Sequence, residues 1–150
     1  MELKFKIKSF YELSLDELYQ LLRLRSEVFV VEQNCVYQDI DDKDQKARHV
    51  LGFYENELVA YTRLFAPDDY FDMASIGRVI VKEKFRDRKW GYQLMEVSIQ
   101  QAEEVYQVHS IKISAQCYLQ KFYENLGFVG VGESYLEDGI PHLEMIRTSN

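Results

Sequence analysis

Cysteine, proline and tryptophan are scarce in this sequence of 150 residues, which contains two, two and one of them. Cys35 and Cys117 form no C-x-x-C pair, so we expect two reduced thiols in a cytoplasmic protein. No segment approaches the ~20 apolar residues of a membrane span. The first residues alternate lysine with apolar side chains instead of forming the apolar run of a signal peptide. These absences predict a cytoplasmic protein without a membrane partner.

Positive charge is also in short supply, because 18 lysines and arginines accompany 25 aspartates and glutamates, for a net charge of −7. Non-specific nucleic-acid binding relies on excess positive charge, so nucleic acid is not expected as a partner. The negative balance leaves room for a cationic substrate such as an amine. A composition with 47% hydrophobic and 29% charged residues suits one folded domain over residues 1–150.

Hydrophobic periodicity predicts a run of strands followed by a strand–helix–strand unit, which indicates an α+β protein. Ser14 and Glu17 form a capping box for a first helix that we expect to reach about Phe29. Other helices are predicted from Gly91 and over residues 119–126. Predicted strands cover residues 3–7, 48–54, 58–65, 76–81, 110–115, 128–133 and 142–147.

Residues 33–48 are polar and acidic, and they predict a long loop. A solvated loop is the favoured interpretation, and a negative lip that attracts a cationic amine is an alternative. A calcium site is disfavoured, because the turn glycine and the distal glutamate of an EF-hand are missing.

Residues 76–95 carry the most information, because a β-branched strand, a basic turn and a glycine follow one another there at the start of an amphipathic helix. Arg86, Arg88 and Lys89 concentrate positive charge in an otherwise acidic chain. Gly91 allows a ligand to approach the backbone, and a helix start offers unpaired N–H groups with a partial positive charge. The unit is therefore a candidate seat for a pyrophosphate.

The same residues resemble the cofactor loop of the GCN5-related N-acetyltransferase (GNAT) superfamily, which reads Q/R-x-x-G-x-G/A after a strand. Here residues 86–91 stand in that place, with Lys89 where the superfamily usually has glycine. A second superfamily block, N-x₆-Y-x₃-G-F, is matched by Gln116, Tyr123, Gly127 and Phe128, with Gln116 replacing the usual asparagine. Residues 25–33, 37–41, 48–49 and 137–142 are further similar to the ElaA-like branch, in which a lysine at the position of Lys89 is usual.

The resemblance implies a mixed, mostly antiparallel sheet of about six or seven strands with helices on both faces. It implies an N-acetyltransferase that uses acetyl-CoA, needs no metal, and acetylates a small-molecule or peptide amine. Because the last strands of such folds often pair between subunits, a homodimer is a further expectation. The residues expected to contact acetyl-CoA are Val79, Ile80, Val81, Arg86, Asp87, Arg88, Lys89, Trp90, Gly91, Tyr92, Gln116 and Tyr123.

The attacking amine must lose a proton, and the departing thiolate must gain one. Tyr123 stands where the superfamily commonly places the tyrosine that acts as the acid. For the base, or for contact with the acceptor, the sequence leaves Glu32, His49 and His142 open. Histidine titrates nearest neutral pH, whereas Glu32 could bind an amine electrostatically or pair with Arg25.

Each of these residues also has an ordinary structural interpretation, such as core packing for Tyr123 or a satisfied surface role for a histidine. Two other functions stay open at this point. One is a non-catalytic acyl-CoA-binding regulatory module, which would keep the pocket and lose turnover. The other, disfavoured, is an acyl-homoserine lactone synthase, because the early loop lacks the aromatic residues that those enzymes need.

Overall fold

The computed structural model describes residues 2–149, which form one seven-stranded sheet with three α-helices. The strands are β1 (Lys4–Ser9), β2 (Arg48–Tyr54), β3 (Glu57–Phe65), β4 (Ala74–Val81), β5 (Ser110–Gln116), β6 (Phe128–Glu137) and β7 (Ile140–Thr148). The helices are α1 (Leu15–Arg25), α2 (Trp90–Tyr106) and α3 (Gln120–Glu124). Their order along the chain confirms the predicted α+β class.

The sheet has the order β1-β2-β3-β4-β5-β7-β6, and every neighbouring pair is antiparallel except β4 and β5. These two parallel strands pair only at Ala74 with Ile111 and at Ser75 with Lys112. Beyond that point no ladder joins them. The sheet is therefore open between β4 and β5, and main-chain groups along that gap are available to a ligand.

A β-bulge lies in β4 beside this opening. Tyr61 pairs with Ile80 and Arg63 with Gly77, so β4 has one more residue than β3 between the two pairs. The bulge is accommodated at Arg78, whose φ of +51° is a left-handed conformation that is uncommon for a residue with a side chain. The bulge re-aims the side chains of β4 at the position where it separates from β5.

Hydrophobic residues fill both faces of the sheet. Val50 and Leu51 are adjacent on β2, so their side chains point to opposite faces, and both are fully buried. Val50 packs in a core that includes Leu94 and Met95 of α2, whereas Leu51 packs in a second core with Leu21 of α1. Helices therefore cover both faces, as predicted.

The first helix begins as predicted and ends differently. Ser14 Oγ accepts a hydrogen bond from the Glu17 N–H at 3.0 Å, and Glu17 bonds back to the Ser14 N–H at 2.9 Å. The α-helical hydrogen bonding stops at Arg25 and not at Phe29, and residues Ser26–Glu32 continue as a π-helix. None of the helices in residues 2–149 combines the length and apolar composition of a membrane span.

Candidate active site

A cavity of about 490 Å³ occupies the opening between β4 and β5. One end lies at the start of α2, and the other lies against β3 and the segment before β4. The π-helical segment, the loop after it and the β6–β7 turn complete the walls. Elements that are far apart in sequence thus meet around one continuous space.

Most of the residues expected to contact acetyl-CoA line this cavity. They are Val79, Ile80, Val81, Arg86, Lys89, Gly91, Tyr92, Gln116 and Tyr123. Residues 79–81 border the opening on β4, and Gln116 borders it at the end of β5. The structure therefore brings the two sequence blocks, which are about 30 residues apart, to the same space.

The start of α2 has the features of an anion site. Lys89 takes the N-cap position with a φ of +59°, and its side chain makes no capping hydrogen bond. This left-handed backbone is uncommon for a residue with a side chain, and it is the conformation that glycine adopts most easily. Gly91 lies against Phe122, since a Cβ at Gly91 would come within 3.3 Å of the Phe122 ring. A helix start without a side-chain cap leaves N–H groups and a partial positive charge for a ligand.

Three residues of the loop that was predicted to contact acetyl-CoA do not line the cavity. Trp90 is 3% exposed and packs in the core, 5.1 Å from the Tyr54 ring and 5.4 Å from the Phe85 ring. The Arg88 guanidinium lies 5.2 Å from the Trp90 ring centre, on this aromatic group. Asp87 is exposed and lies outside the cavity lining. Side chains in a turn point in several directions, and sequence spacing alone did not show which of them face the cavity.

Arg86 and Glu32, predicted for different roles, bind each other at the cavity wall. Arg86 Nη2 donates to Glu32 Oε1 at 2.9 Å, and Arg86 Nε donates to the Val81 carbonyl at 2.8 Å. The bond to Glu32 is the main reason that the pKa of Arg86 is raised. The pair joins the π-helical segment to the loop before α2, and it neutralises the Glu32 carboxylate.

Tyr123 is 5% exposed and lies between the rings of Phe122 and Phe128, with centroid separations of 5.0 and 5.9 Å. Burial raises the pKa of its hydroxyl, and Tyr118 adds to the effect. Within residues 2–149 the hydroxyl has no hydrogen-bond partner. Tyr123 thus borders the cavity as a protonated phenol whose proton is not committed to another group.

His142 also borders the cavity and is bound to the β6–β7 turn. Its Nδ1 lies 2.7 Å from the Ile140 carbonyl oxygen, and because that oxygen can only accept, Nδ1 carries the hydrogen. The other ring nitrogen, Nε2, lies 3.4 Å from Glu137 Oε2. In the neutral ring, Nε2 therefore holds the lone pair.

His49 does not border this site, which corrects its prediction as a base or acceptor contact. It is fully buried and lies outside the cavity lining. Its Nδ1 is 2.6 Å from the Tyr61 hydroxyl, and its Nε2 is 2.9 Å from the Asp44 carbonyl oxygen. Burial is the main cause of a lowered pKa for the ring, which favours the neutral form. His49 is a structural residue that joins β2 to the acidic loop.

The acidic loop is solvated only in part, because three of its aspartates pair with arginines, and these carboxylates do not form a free negative lip. We call its contacts with three arginines the ionic cluster, whose members are Arg25, Arg63, Arg78, Asp39, Asp41 and Asp44. Arg25 is fully buried and donates to Asp39 at 2.9 Å and to Asp44 at 2.7 Å. Residues 2–149 contain no group of histidine, cysteine, aspartate or glutamate side chains arranged to hold a metal.

Several cavity residues were missed by sequence reasoning. Glu137 lay in one of the segments similar to the ElaA-like branch, yet a single exposed glutamate gave no sign of its contact with His142. Arg63 and Arg78 lie on β3 and β4, where an arginine within a strand is an unusual buried residue. The ionic cluster could have been predicted from two features of the sequence together: arginines within predicted strands and an acidic loop.

Comparisons with known proteins agree with this geometry. The Acetyltransferase (GNAT) domain family matches residues 14–149. Protein ElaA of Escherichia coli is 49% identical over 138 residues, which cover 91% of this chain and 90% of that protein. The crystal structure of E. coli ElaA superposes with a TM-score of 0.90 at 45% identity, over 97% of this chain and 99% of that one.

Two further structures extend the comparison. An acyl-CoA N-acyltransferase from Pseudomonas aeruginosa has a TM-score of 0.91 at 42% identity, over 97% of this chain and 99% of that one. A GNAT family acetyltransferase from Elizabethkingia anophelis, with acetyl-CoA bound, has a TM-score of 0.67 at 17% identity over 99% of both chains, which shows the fold alone. The predicted fold is confirmed, and the family indicates an acyltransferase. This chain belongs to the GNAT acetyltransferase family, in the branch that contains ElaA.

Proposed function

We propose that this protein transfers the acetyl group of acetyl-CoA to the amino group of a small molecule or peptide. The observation that supports it is the single cavity that joins the uncapped start of α2 to Tyr123 and His142. An anion site, a free phenol and a histidine with a carboxylate beside it are the groups that such a reaction needs. When bound, acetyl-CoA would supply an acetyl group activated as a thioester.

The cofactor end of the cavity would hold acetyl-CoA mainly through the main chain. The start of α2 at Lys89 and Gly91 suits the pyrophosphate, and the Lys89 side chain adds charge. The open edges of β4 and β5 suit the amide groups of the pantetheine arm, as in the addition of a strand to a sheet. Gln116 adds an amide at the end of β5 that can donate and accept.

His142 would take a proton from the acceptor amine. Its Nε2 carries the lone pair in the neutral ring. Once Nε2 has taken the proton, the Glu137 carboxylate at 3.4 Å would stabilise the positive charge of the ring. Ser114 Oγ donates to Glu137 Oε1 at 3.3 Å and so orients that carboxylate. Glu137 acts here as a positioning residue, because it works through His142.

Tyr123 would supply a proton to the sulfur of the leaving group. Burial keeps its hydroxyl protonated, and within residues 2–149 no other group takes up that proton. Glu32 is not assigned as a base, because Arg86 neutralises its carboxylate. Its role is to hold Arg86 at the wall of the cavity.

Two measurements test the proposed function. Calorimetry is expected to show binding of acetyl-CoA, and a thiol assay with a panel of primary amines is expected to show release of CoA. Tyr123→Phe is expected to lower kcat by about 100-fold or more, because general acid catalysis contributes 10²–10⁴-fold. Tyr106→Phe removes a hydroxyl that bonds to the Leu64 carbonyl outside the cavity, and it should leave kcat within about twofold.

The outcomes separate the two functions considered from sequence. Binding of acetyl-CoA without turnover of any amine would favour a regulatory acyl-CoA-binding module. Turnover that is unchanged in Tyr123→Phe would remove the proposed role of that residue.

We further propose a cytoplasmic location, which the two free thiols of Cys35 and Cys117 support. The homodimer stays a prediction, for which sedimentation velocity is the measurement.

A further inference from the structure

The far end of the cavity lies beyond the β4 bulge. Ser75 and Val81 are six positions apart on β4, which at about 3.3 Å per residue separates them by roughly 20 Å. Because α2 starts shortly after Val81, Ser75 marks the opposite end of the cavity. Phe65 and Tyr70 form an aromatic wall there, with parallel rings whose centroids are 5.0 Å apart. An acceptor that enters from this end would meet Ser75 and this wall.

Two polar side-chain atoms at this end lack a hydrogen-bond partner, although the other nitrogens of Arg63 are paired with Asp41 and Asp44. Ser75 Oγ and Arg63 Nε are the buried side-chain polar atoms without a hydrogen bond in the part of the chain that the structure describes. Ser75 is 2% exposed and Arg63 is 1% exposed, and both residues line the cavity. Folded proteins leave few such atoms unpaired, so their presence together at a cavity indicates a ligand group.

Strand register places both residues on the same face of the sheet. Arg63 pairs with Gly77 and Phe65 with Ser75, so Arg63 and Ser75 are diagonal neighbours across β3 and β4. Gly77 contributes no side chain, and a Cβ at that position would meet no atom within 4 Å. Open space therefore borders the position between the two unpaired groups.

The charge of the surroundings selects the kind of group that fits. The ionic cluster has three arginines and three aspartates, so its formal charges cancel. A carboxylate here would be buried near Asp41 and Asp44 and would find no unpaired arginine in the cluster, and an ammonium would find no free carboxylate in the cluster. Both unpaired groups can donate a hydrogen bond, and one carbonyl oxygen has two lone pairs to accept them.

We propose that the acceptor is an amine whose body carries an uncharged carbonyl oxygen, bound by Ser75 Oγ and Arg63 Nε. An apolar or aromatic group of the acceptor packs against the exposed ring of Tyr70, which stacks on the buried Phe65. Amino-acid amides and the amino ends of peptides share this chemistry, whereas free amino acids and simple alkylamines do not. The inference rests on the proposed acetyl transfer and names the substrate class for it.

The test compares amines that differ only around the carbonyl group. Phenethylamine, phenylalanine, phenylalanine amide and the peptide amide Phe-Gly-Gly-NH₂ are each supplied with acetyl-CoA, and kcat/KM is measured by thiol release. The two amides are expected to exceed phenylalanine and phenethylamine by about tenfold or more, because an acceptor without the neutral carbonyl leaves buried donors unpaired. The comparison of phenylalanine amide with Phe-Gly-Gly-NH₂ shows whether an amino-acid amide or the amino end of a peptide is the better acceptor.

The decisive quantity is how Ser75→Ala changes the ratio of kcat/KM for phenylalanine amide to that for phenethylamine, because the two amines differ in basicity. That ratio is expected to fall about fivefold or more in Ser75→Ala. The matched control is Ser98→Ala, which removes a buried hydroxyl bonded to Thr62 at 2.7 Å outside the cavity. The ratio in Ser98→Ala is expected to equal that of the original protein.

Thermal unfolding adds a second measurement. Ser75→Ala removes a hydroxyl that has no partner, so its midpoint should be unchanged or higher, whereas Ser98→Ala should lower it. A ratio that Ser75→Ala leaves unchanged, with thiol release intact, overturns this inference alone. If acetyl-CoA binds and none of the four amines releases thiol, proposed function and inference are both overturned.

Discussion

The two ends of the cavity are built in different ways. The cofactor end comes largely from one continuous segment, residues 79–92, and offers main-chain groups at a strand edge and a helix start. The acceptor end is assembled from separate segments that carry Arg63, Tyr70 and Ser75, and the ionic cluster lies next to it. The difference teaches that sequence analysis can predict a site built from the main chain of one continuous segment. It does not predict a site built from side chains that are far apart in the chain.

The ends also differ in what holds them in place. At the cofactor end, the helix backbone itself provides the N–H groups, and few side-chain contacts are required. At the acceptor end, the acidic loop is held by the ionic cluster, in which Asp39 also accepts from Arg78 at 2.7 Å. Removal of one partner from a buried ion pair leaves an uncompensated charge. A single substitution should therefore disturb the acceptor end far more than the cofactor end.

The largest expected effect comes from Arg25→Met. It removes one of the two arginine partners from each of the buried carboxylates Asp39 and Asp44, and should lower the free energy of unfolding by about 3–5 kcal/mol. Acetyl-CoA affinity, measured by calorimetry where the variant is still folded, should change less than about twofold, because Arg25 does not line the cavity. Arg23→Met, an exposed neighbour on α1, is the control and should stay within about 0.5 kcal/mol in urea denaturation. A matching loss of acetyl-CoA affinity would show that the two ends are not independent.

The two histidines give the next comparison. His142→Gln is expected to lower kcat by about 100-fold, the scale of general base catalysis. His49→Gln should instead lower the free energy of unfolding by about 1–3 kcal/mol, because partners of a buried ring lose their bonds, and kcat should stay within about threefold. Steady-state kinetics and urea denaturation of both variants separate the two roles. A larger kinetic loss in His49→Gln would contradict the assignment.

Asp41 tests the charges of the acceptor end through pH. Burial acts to raise the pKa of this carboxyl, but the hydrogen bonds and charge of Arg63 outweigh it and lower the pKa from 3.8 to about 2. A pKa that is lower in the folded protein adds stability above the unfolded value, and this contribution is lost as pH falls from about 4 to about 2. The contribution is about 2 kcal/mol.

The measurement is urea denaturation of the original protein and of Asp41→Asn as a function of pH. The variant should be less stable near pH 7 and should lose less stability between about pH 4 and pH 2. Parallel curves for the two proteins in that range would contradict the ion pair between Asp41 and Arg63.

The smallest expected effect is at the cofactor end. In Gly91→Ala the new Cβ would lie 3.3 Å from Cε1 and Cζ of Phe122, so the ring or the helix start must shift. Acetyl-CoA affinity is expected to fall about tenfold, equal to about 1.4 kcal/mol, by calorimetry. Gln93→Ala, an exposed position on α2 outside the cavity, should change affinity less than about twofold. Equal affinities for both variants would show that no ligand approaches Gly91 closely.

Sequence reasoning was most successful where hydrophobic period and turn residues decide the structure. Strands β2 and β3 formed close to their predicted bounds, and Glu55 and Asn56 make the left-handed turn between them with φ of +49° and +66°. The capping box of Ser14 also formed, because both partners lie within one helical turn. The predicted end of α1 at about Phe29 was wrong, because hydrophobic spacing does not distinguish an α-helix from the π-helix that follows Arg25.

The sequence by itself determined the order of elements, the strand–turn–helix unit around Gly91 and the position of Tyr123, because each depends on residues close in the chain. Only the tertiary structure decided that Arg86 binds Glu32, that Arg88 faces an aromatic group, and which histidine borders the cavity. The physical reason is that a charge or a ring nitrogen takes whichever partner the fold brings near. That partner is often dozens of residues away, as Arg86 is from Glu32.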